Sequence, residues 1–354
     1  MRSACLKTPK RGGEKALTLA SKLGLFNRDL EIQRNEEFIY IPLAKHPSTL
    51  ELNSLKRQVA DLDLSTHFFP ERKKPAASLS QLLENDLPSE LLTSLPRAID
   101  FIGDIAILEL PQELDEYKRI VGEAILKANK RVRTVLAKAG IVTGTYRLRD
   151  FTVIAGEPKT QTVHKEYGCQ YYLDVAKAFF SPRLSFEHHR VASLVKDSET
   201  VVDLFAGVGP FSVQIAKNHQ SINVYALDMN PNAIEYLKKN IGVNKVAGKV
   251  HPILGDARQV VCSRLQGVAD RAIMNLPEKA IHYVDVACEA IKPSGGMLHF
   301  YSFVNKPVAS EDPNALLERA VEKSGRNIQK ILLSRLVRET APFRWQAVSD
   351  VIIS

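Results

Sequence analysis

Four apolar runs between residues 200 and 277 each stop on a polar residue, a repeat that few folds accommodate. The first, Val201-Val202-Asp203-Leu204-Phe205-Ala206, reads as a buried parallel strand feeding into Gly207-Val208-Gly209-Pro210-Phe211 and a helical stretch. The second, Ile222 to Leu227, ends on Asp228 and runs into Asn230-Pro231, a cap with proline at the first helical position. A third ends at Gly255-Asp256-Ala257, and a fourth, Ala269 to Met274, delivers Asn275-Leu276-Pro277. Open α/β sheets bind ligands outside the carboxyl ends of their strands. Polar residues at four such ends predict a site, and an enzyme rather than a scaffold.

The glycine spacing narrows the ligand. A dinucleotide fingerprint wants a third glycine for close helix–strand packing, and Ser212 stands there. No lysine with Ser or Thr follows at the spacing of a phosphate-cradling loop. The turn therefore lets backbone approach a ligand closely without gripping a pyrophosphate. Asp203, just ahead of it, suits an ammonium or a hydroxyl. Asp228 can accept from two ribose hydroxyls, and Asp256 from the exocyclic amine of adenine. An amino-acid head, a ribose and an adenine together describe S-adenosylmethionine; a nicotinamide dinucleotide fits less well. A single strand-end Asp is more often a turn former or a cap. Three in register with the glycine turn reverse that weighting.

A net charge of +8 favours a polyanionic partner. A helix predicted over Tyr117–Ala139 carries Lys127, Arg131 and Lys138 on one face; Lys7, Lys10, Arg11 and Arg72-Lys73-Lys74 add basic clusters elsewhere. A solvated helix face is the bland alternative, but the distribution points to RNA. No apolar run approaches the roughly 18 residues that span a membrane, and no apolar segment follows the basic N-terminus as in a secretory signal. Cys5, Cys169, Cys262 and Cys288 lack C-x-x-C spacing, which predicts neither zinc nor a disulfide framework and suits a reducing cytoplasm. The doublet His188-His189 has no visible third ligand, so no metal is expected.

Residues 1–66 read as a small α/β unit, with a strand at Cys5-Leu6-Lys7, a helix from Gly13 to Leu23 and a strand over Phe38–Pro42. The proline- and charge-rich stretch 67–75 reads as a linker. Residues 76–180 read as an α+β region with helices at Leu79–Glu84 and Tyr117–Ala139 and strands at Ile105–Leu110, Phe151–Ala155 and Gln161–Glu166. A catalytic domain over 181–354 ends in a fifth strand (Met297 to Val304), a helix near Ala315–Lys323 and a hairpin (Ile328–Arg335, Ala347–Ile353) around Pro342. An antiparallel hairpin closing a parallel sheet resembles the class I methyltransferase fold. The expected architecture is thus α/β: a Rossmann-like class I methyltransferase domain behind two smaller N-terminal α/β domains.

Over its whole length the chain resembles the archaeal and eukaryotic tRNA (guanine-37-N1)-methyltransferases. The carrying residues are Tyr146-Arg147, Val153-Ile154-Ala155-Gly156-Glu157, Phe180-Ser181-Pro182-Arg183-Leu184, Glu187, the run Asp203 to Phe211, and Asn275-Leu276-Pro277. Cys5-Leu6-Lys7 and Ile41-Pro42-Leu43 are similar to that family's small first domain, expected to recognise tRNA by shape. The resemblance implies S-adenosylmethionine as cofactor and tRNA as partner; a monomer without metal or membrane attachment is expected. It implies Glu187 as the base that takes the proton from guanine N1, Arg147 as stabiliser of charge on O6, and Asn275 as the amide orienting base and methyl donor. It sets the cofactor against Phe179, Arg183, His188, Asp203, Phe205, Gly207, Gly209, Asp228, Met229, Asp256, Ala257, Asn275 and Pro277. Arg149, two residues from Arg147, competes for the O6 role. Phe179-Phe180 departs from relatives that carry a tyrosine there, leaving stacking but no hydroxyl.

A rival within the family transfers the cofactor's aminocarboxypropyl group to a wyosine intermediate, and a bifunctional enzyme would also methylate such an intermediate. Amino-adenine methyltransferases are disfavoured by Leu276 and Glu278, a dehydrogenase by Ser212. A catalytically dead RNA-binding protein is disfavoured by the retention of Asp203, Asp228 and Asp256.

Overall fold

The computed structural model describes residues 1–72, 78–143, 146, 148–305 and 312–354, with backbone alone for 141–143. The chain divides into two units, Met1–Ala77 and Ser78–Ser354.

In the first unit, β1 (Arg2–Pro9), β2 (Gln33–Arg34), β3 (Phe38–Pro42) and β4 (Asp63–Phe68) form a sheet in the order β2-β3-β1-β4. Helices α1 (Gly13–Lys22) and α2 (Thr49–Gln58) cover it, and Leu6, Ala20, Leu25, Ile41 and Leu55 form its core. The sequence reading missed α2 and β4. Yet α2 opens on a capping box, in which Ser48 and Glu51 each accept the other's backbone N–H. Part of the expected linker is also structured: Phe69 is fully buried beside Cys5 and Leu30, and Glu71 bridges Leu30.

The second unit begins with a mixed sheet of β5 (Ile99–Ile102), β6 (Ile105–Leu108), β7 (Thr134–Thr143) and β8 (Leu148–Gly156). Short helices α3 (Leu79–Leu83) and α4 (Ser89–Leu92) precede it, and α5 (Lys118–Ala128) packs on β8. The helix expected over Tyr117–Ala139 therefore ends eleven residues early. From Thr134 the chain is strand, paired in parallel with β6 and burying Val135, Leu136 and Ala137. A β-branched start and a sheet partner outweigh helical spacing there. Lys127, Arg131 and Lys138 consequently do not share a helix face.

A hairpin of β9 (Gln161–Glu166) and β10 (Cys169–Asp174) follows. Asn240 bonds both backbone groups of Tyr172, and Asn244 both of Gln170. Both asparagines sit at the end of a helix of the catalytic sheet, so that core reaches back to residue 161, ahead of the boundary expected near 181. The catalytic sheet comprises β11 (Thr200–Asp203), β12 (Asn223–Asp228), β13 (Val250–Leu254), β14 (Arg271–Met274), β15 (Gly296–Asn305), β16 (Ile328–Ala341) and β17 (Arg344–Ile353), ordered β13-β12-β11-β14-β15-β17-β16. The first five are parallel and β17 is antiparallel to both its neighbours. Helices α6 (Ser185–Leu194), α7 (Pro210–Asn218), α8 (Pro231–Val243), α9 (Ala257–Val260), α10 (Val284–Ala290) and α11 (Pro313–Lys323) flank it. This is the class I methyltransferase order, and its direction reverses between β11 and β14.

Gly209 opens α7 with φ of 89°, and a Cβ built there falls 2.3 Å from Leu237 Cδ1, a fully buried side chain. Gly24 has φ of 64° but open space around it. Gly209→Ala is expected to cost about 2–4 kcal/mol, backbone strain plus overpacking, against about 1–2 kcal/mol for Gly24→Ala. Urea unfolding of both variants checks this; equal losses would show that the loop repacks freely around Leu237.

Candidate active site

The turn after β11 and the end of β12 are tied by one carboxylate. Asp228 accepts the Gly207 N–H at 2.7 Å and the Asn230 N–H at 2.8 Å. Gly207 adopts φ of 56°, and a Cβ there would meet nothing nearer than Phe179 O at 3.6 Å, so the backbone is open to a ligand on that side. Burial raises the Asp228 carboxyl pKa, although the backbone donors pull the other way. Asn230 caps α8 ahead of Pro231, as the sequence predicted, and its Nδ2–H bonds Lys177 O.

A cavity of about 560 Å³ lies over these strand ends. Its floor is built from Phe205, Gly207, Asp228, Met229, Asp256, Ala257, Asn275 and Pro277, and its wall includes Phe179 and Arg183. The sheet of the α+β region supplies the opposite side through Asp100, Ile102, Lys138, Leu148, Arg149 and Phe151. Arg183 donates to Asp100 at 2.5 Å, joining the two regions across the cavity. Asp256 plays the cap role also foreseen for it, since its Oδ1 accepts the N–H of Arg258 and Gln259 at the start of α9. Arg147 lies outside the described residues; Arg149 lines the cavity with its guanidinium 3.6 Å from Glu109.

Four residues expected at the ligand stand behind the wall instead. Gly209 lies close against Leu237 and is not among the cavity-lining residues. His188 is 1% exposed and donates Nδ1–H to Glu166 at 2.7 Å. Burial would raise the Glu166 carboxyl, but His164 and His188 hold it down at about 2. Glu187 is equally buried: Tyr301 donates to it at 2.8 Å, Arg190 at 3.0 Å, and Arg335 forms a further ion pair. Its position on the inner face of α6 turns the carboxylate toward β15 and β16 rather than into the cavity lining.

The fourth, Asp203, is fully buried, with Oδ2 accepting from Ser212 at 2.7 Å and Oδ1 unpartnered among the described residues. Burial, reinforced by the nearby Asp228 charge, raises its carboxyl to about 7. The folded protein thus holds a proton that an unfolded chain releases near pH 4, so stability falls as pH rises from about 4 to about 7. Asp203→Asn cannot ionise. Its stability relative to wild type is expected to improve between pH 5 and pH 8 by on the order of 2–4 kcal/mol. Melting curves at both pH values measure this, and a difference independent of pH would mean that Asp203 stays ionised throughout.

Sequence reasoning missed a chain of buried charges beneath the cavity. From Glu187 it runs through Arg190 to Asp350 (2.5 Å), then His299 (2.6 Å), Arg271 (2.8 Å) and Glu199 (2.8 Å). Arg271 can only donate, so His299 Nε2 accepts and its Nδ1–H points to Asp350. Burial lowers the His299 pKa, in keeping with a neutral ring. Burial alone would raise Asp350, but His299 and Arg190 hold it at about 2. A signal was present: Arg271 directly precedes Ala272-Ile273-Met274, His299 stands between Leu298 and Phe300, and Asp350 precedes Val351-Ile352-Ile353, and buried charge requires a partner. Also missed were Gln346, Arg338 and Arg344, which line the cavity from the closing hairpin. Among the described residues no group of three His, Cys, Asp or Glu side chains is placed to hold a metal, and no helix is long and apolar enough to cross a membrane.

Residues 162–329 match the family described as the TRM5/TYW2 methyltransferase domain; residues 79–160 match the TYW2 N-terminal domain, and residues 5–51 the tRNA methyltransferase 5 N-terminal domain. The chain is 36% identical over 353 residues to the tRNA (guanine(37)-N(1))-methyltransferase Trm5b of Pyrococcus abyssi, covering 99% of this chain and 98% of that one. The crystal structure of that Trm5b aligns with a TM-score of 0.73 at 34% identity over 99% of both chains. A complex of aTrm5 with tRNALeu aligns at 0.68 and 31% identity, again over 99% of both chains. Methanocaldococcus jannaschii Trm5 in complex with adenosine aligns at 0.63 and 31% identity over 98% of each. With the sheet order, the strand-end carboxylates and the full-length match in agreement, the chain belongs to the Trm5/TYW2 family of tRNA-modifying methyltransferases.

Proposed function

We propose that this protein transfers the methyl group of S-adenosylmethionine to N1 of guanine 37 in tRNA. The observation that carries the reading is the cavity at the β11/β14 switch point, bounded by Asp228, Asp256 and Asn275 and roofed by a second sheet bearing Lys138 and Arg149. Its volume falls within the roughly 300–1,000 Å³ of small-molecule sites. The residues fit the cofactor: Gly207 leaves backbone accessible, and Asp228 keeps lone pairs beyond those taken by Gly207 and Asn230. Phe205, Met229 and Ala257 supply apolar floor for an adenine. When bound, S-adenosylmethionine supplies an electrophilic methyl group on a sulfonium.

The chain's own work is to hold the guanine edge and remove its proton. The base must leave its stack to enter, as for other enzymes that modify bases. Phe179, half exposed at the cavity wall, offers a stacking face. N1 of guanine is a poor nucleophile until its proton departs, after which charge gathers on O6. Glu187 is the proposed base. Arg190 and Arg335 hold its carboxylate, and Arg335, with about a third of its side chain exposed, is the partner it must exchange to reach the cavity. Arg147 is proposed to stabilise O6. Action as a cytoplasmic monomer is part of the same proposal, and sedimentation of the purified protein tests its second half.

Glu187→Gln is expected to cut turnover by about 10²–10⁴-fold while cofactor affinity stays near wild type. It should also lower stability by about 3–5 kcal/mol, because two arginines lose their buried counter-charge. Calorimetric cofactor titration beside initial rates decides: collapse of binding together with rate makes Glu187 structural. Asp228→Ala is expected to weaken cofactor binding about 10- to 100-fold, the loss of one or two charge-assisted hydrogen bonds. Undiminished affinity would put the ribose elsewhere. The reaction itself is tested with methyl-labelled cofactor and unmodified tRNA transcripts carrying guanine or adenine at position 37. N1-methylguanosine from the first alone is expected. No label in either would move the substrate to a wyosine precursor.

A further inference from the structure

We infer that Gln346 decides which base edge the cavity accepts, by holding Asn275 with its amino group, not its carbonyl, toward the ligand. The inference rests on the guanine-methylation reading and adds a positioning residue to it.

The geometry forces the polarity. An arginine side chain carries only donors. Arg338 on β16 donates Nε–H to Gln346 Oε1 at 3.1 Å. The Gln346 amide oxygen therefore faces Arg338, and its nitrogen faces Asn275, whose Oδ1 lies 3.2 Å away. A donor there needs an acceptor, so Asn275 must turn its oxygen to Gln346. Flipping either amide would set donor against donor. Gln346 is 1% exposed and held within β17 between β15 and β16, so the relay is rigid. Asn275 stands at the end of β14 and lines the cavity. With Oδ1 engaged, what it offers the ligand is the Nδ2 amino group.

A fixed donor reads the base. Guanine presents the O6 acceptor beside N1, and that oxygen gains charge as the N1 proton leaves. An N–H aimed there binds the transition state more tightly than the ground state. Adenine presents its own amino group at the same place, and two opposed donors exclude it. Burial and the neighbouring Arg183 lower the Arg338 pKa without removing its charge, so the relay begins at a cation across the working range.

Gln346→Glu inverts the relay with little change in volume. One carboxylate oxygen still accepts from Arg338, the other accepts from Asn275 Nδ2–H, and Asn275 then shows its carbonyl to the cavity. On a guanine-37 transcript, kcat is expected to fall about 10²–10³-fold, the cost of one oxyanion donor. KM for tRNA and the dissociation constant of S-adenosylmethionine should stay within about threefold of wild type, as for an interaction made only in the transition state. Asn275→Asp removes the same donor directly and should lose as much. The double variant should lose no more than either single one, whereas unrelated packing defects would add. If Gln346→Glu fails to show a cooperative melting transition, Asn275→Asp alone decides: full activity overturns the inference. Wild-type turnover with undiminished kcat in Gln346→Glu overturns the inference alone. A wild-type protein that leaves guanine 37 unmethylated fells the functional reading and this inference with it.

Discussion

Beneath the cavity, charge runs in a line, buried at Glu187, Asp350, His299 and Arg271 and partly exposed at Arg190 and Glu199, across α6, β17, β15, β14 and the residue ahead of β11. Desolvating so many ionisable groups is costly, and removing any one strands its neighbours. The line therefore acts as a register pin. It stitches the parallel half of the sheet to the antiparallel hairpin and fixes the height at which β16 and β17 deliver Arg338 and Gln346 to the cavity above. Tyr301 belongs to the same layer, its hydroxyl on Glu187 and its ring against Phe211, which joins the charge line to the start of α7.

The ligand end of the sheet is organised by hydrogen bonds that cross between strands. Asp228 ties the glycine turn of β11 to the end of β12, and Arg183 ties the catalytic half to Asp100 on the neighbouring sheet. The cavity is consequently shaped by two sheets. The catalytic sheet contributes Gly207, Asp228, Asp256 and Asn275 together with Arg338 and Arg344 of the closing hairpin, and the neighbouring sheet contributes Asp100, Lys138, Arg149 and Phe151.

Much of this was legible in the chain itself. Strand positions in the catalytic half could be read because each apolar run is bounded by Gly, Pro or Asp, and the residues just past those bounds, Asp228, Asp256 and Asn275, line the cavity. The helix expected over Tyr117–Ala139 failed because helical spacing of charges continued past Ala128, while the partner that makes Thr134–Thr143 a strand lies at residues 105–108. Glu187 is expected at the ligand from its match to the family motif, Asp203 from its place just ahead of the glycine turn, and His188 because it flanks Glu187. Their side chains face inward, a matter of helix and strand phase that a motif does not encode.

Local sequence determined the elements that depend on neighbours in the chain: the glycine turn with its positive φ, the Asn230-Pro231 cap, the strand-end carboxylates and the closing hairpin. Only the tertiary structure decided what those elements meet. The Arg338–Gln346–Asn275 relay spans residues 71 apart at its last step, and the Arg190–Asp350 pair spans 160. Such contacts depend on the register in which distant strands pair, and register is chosen by the burial of whole faces rather than by any short run of residues.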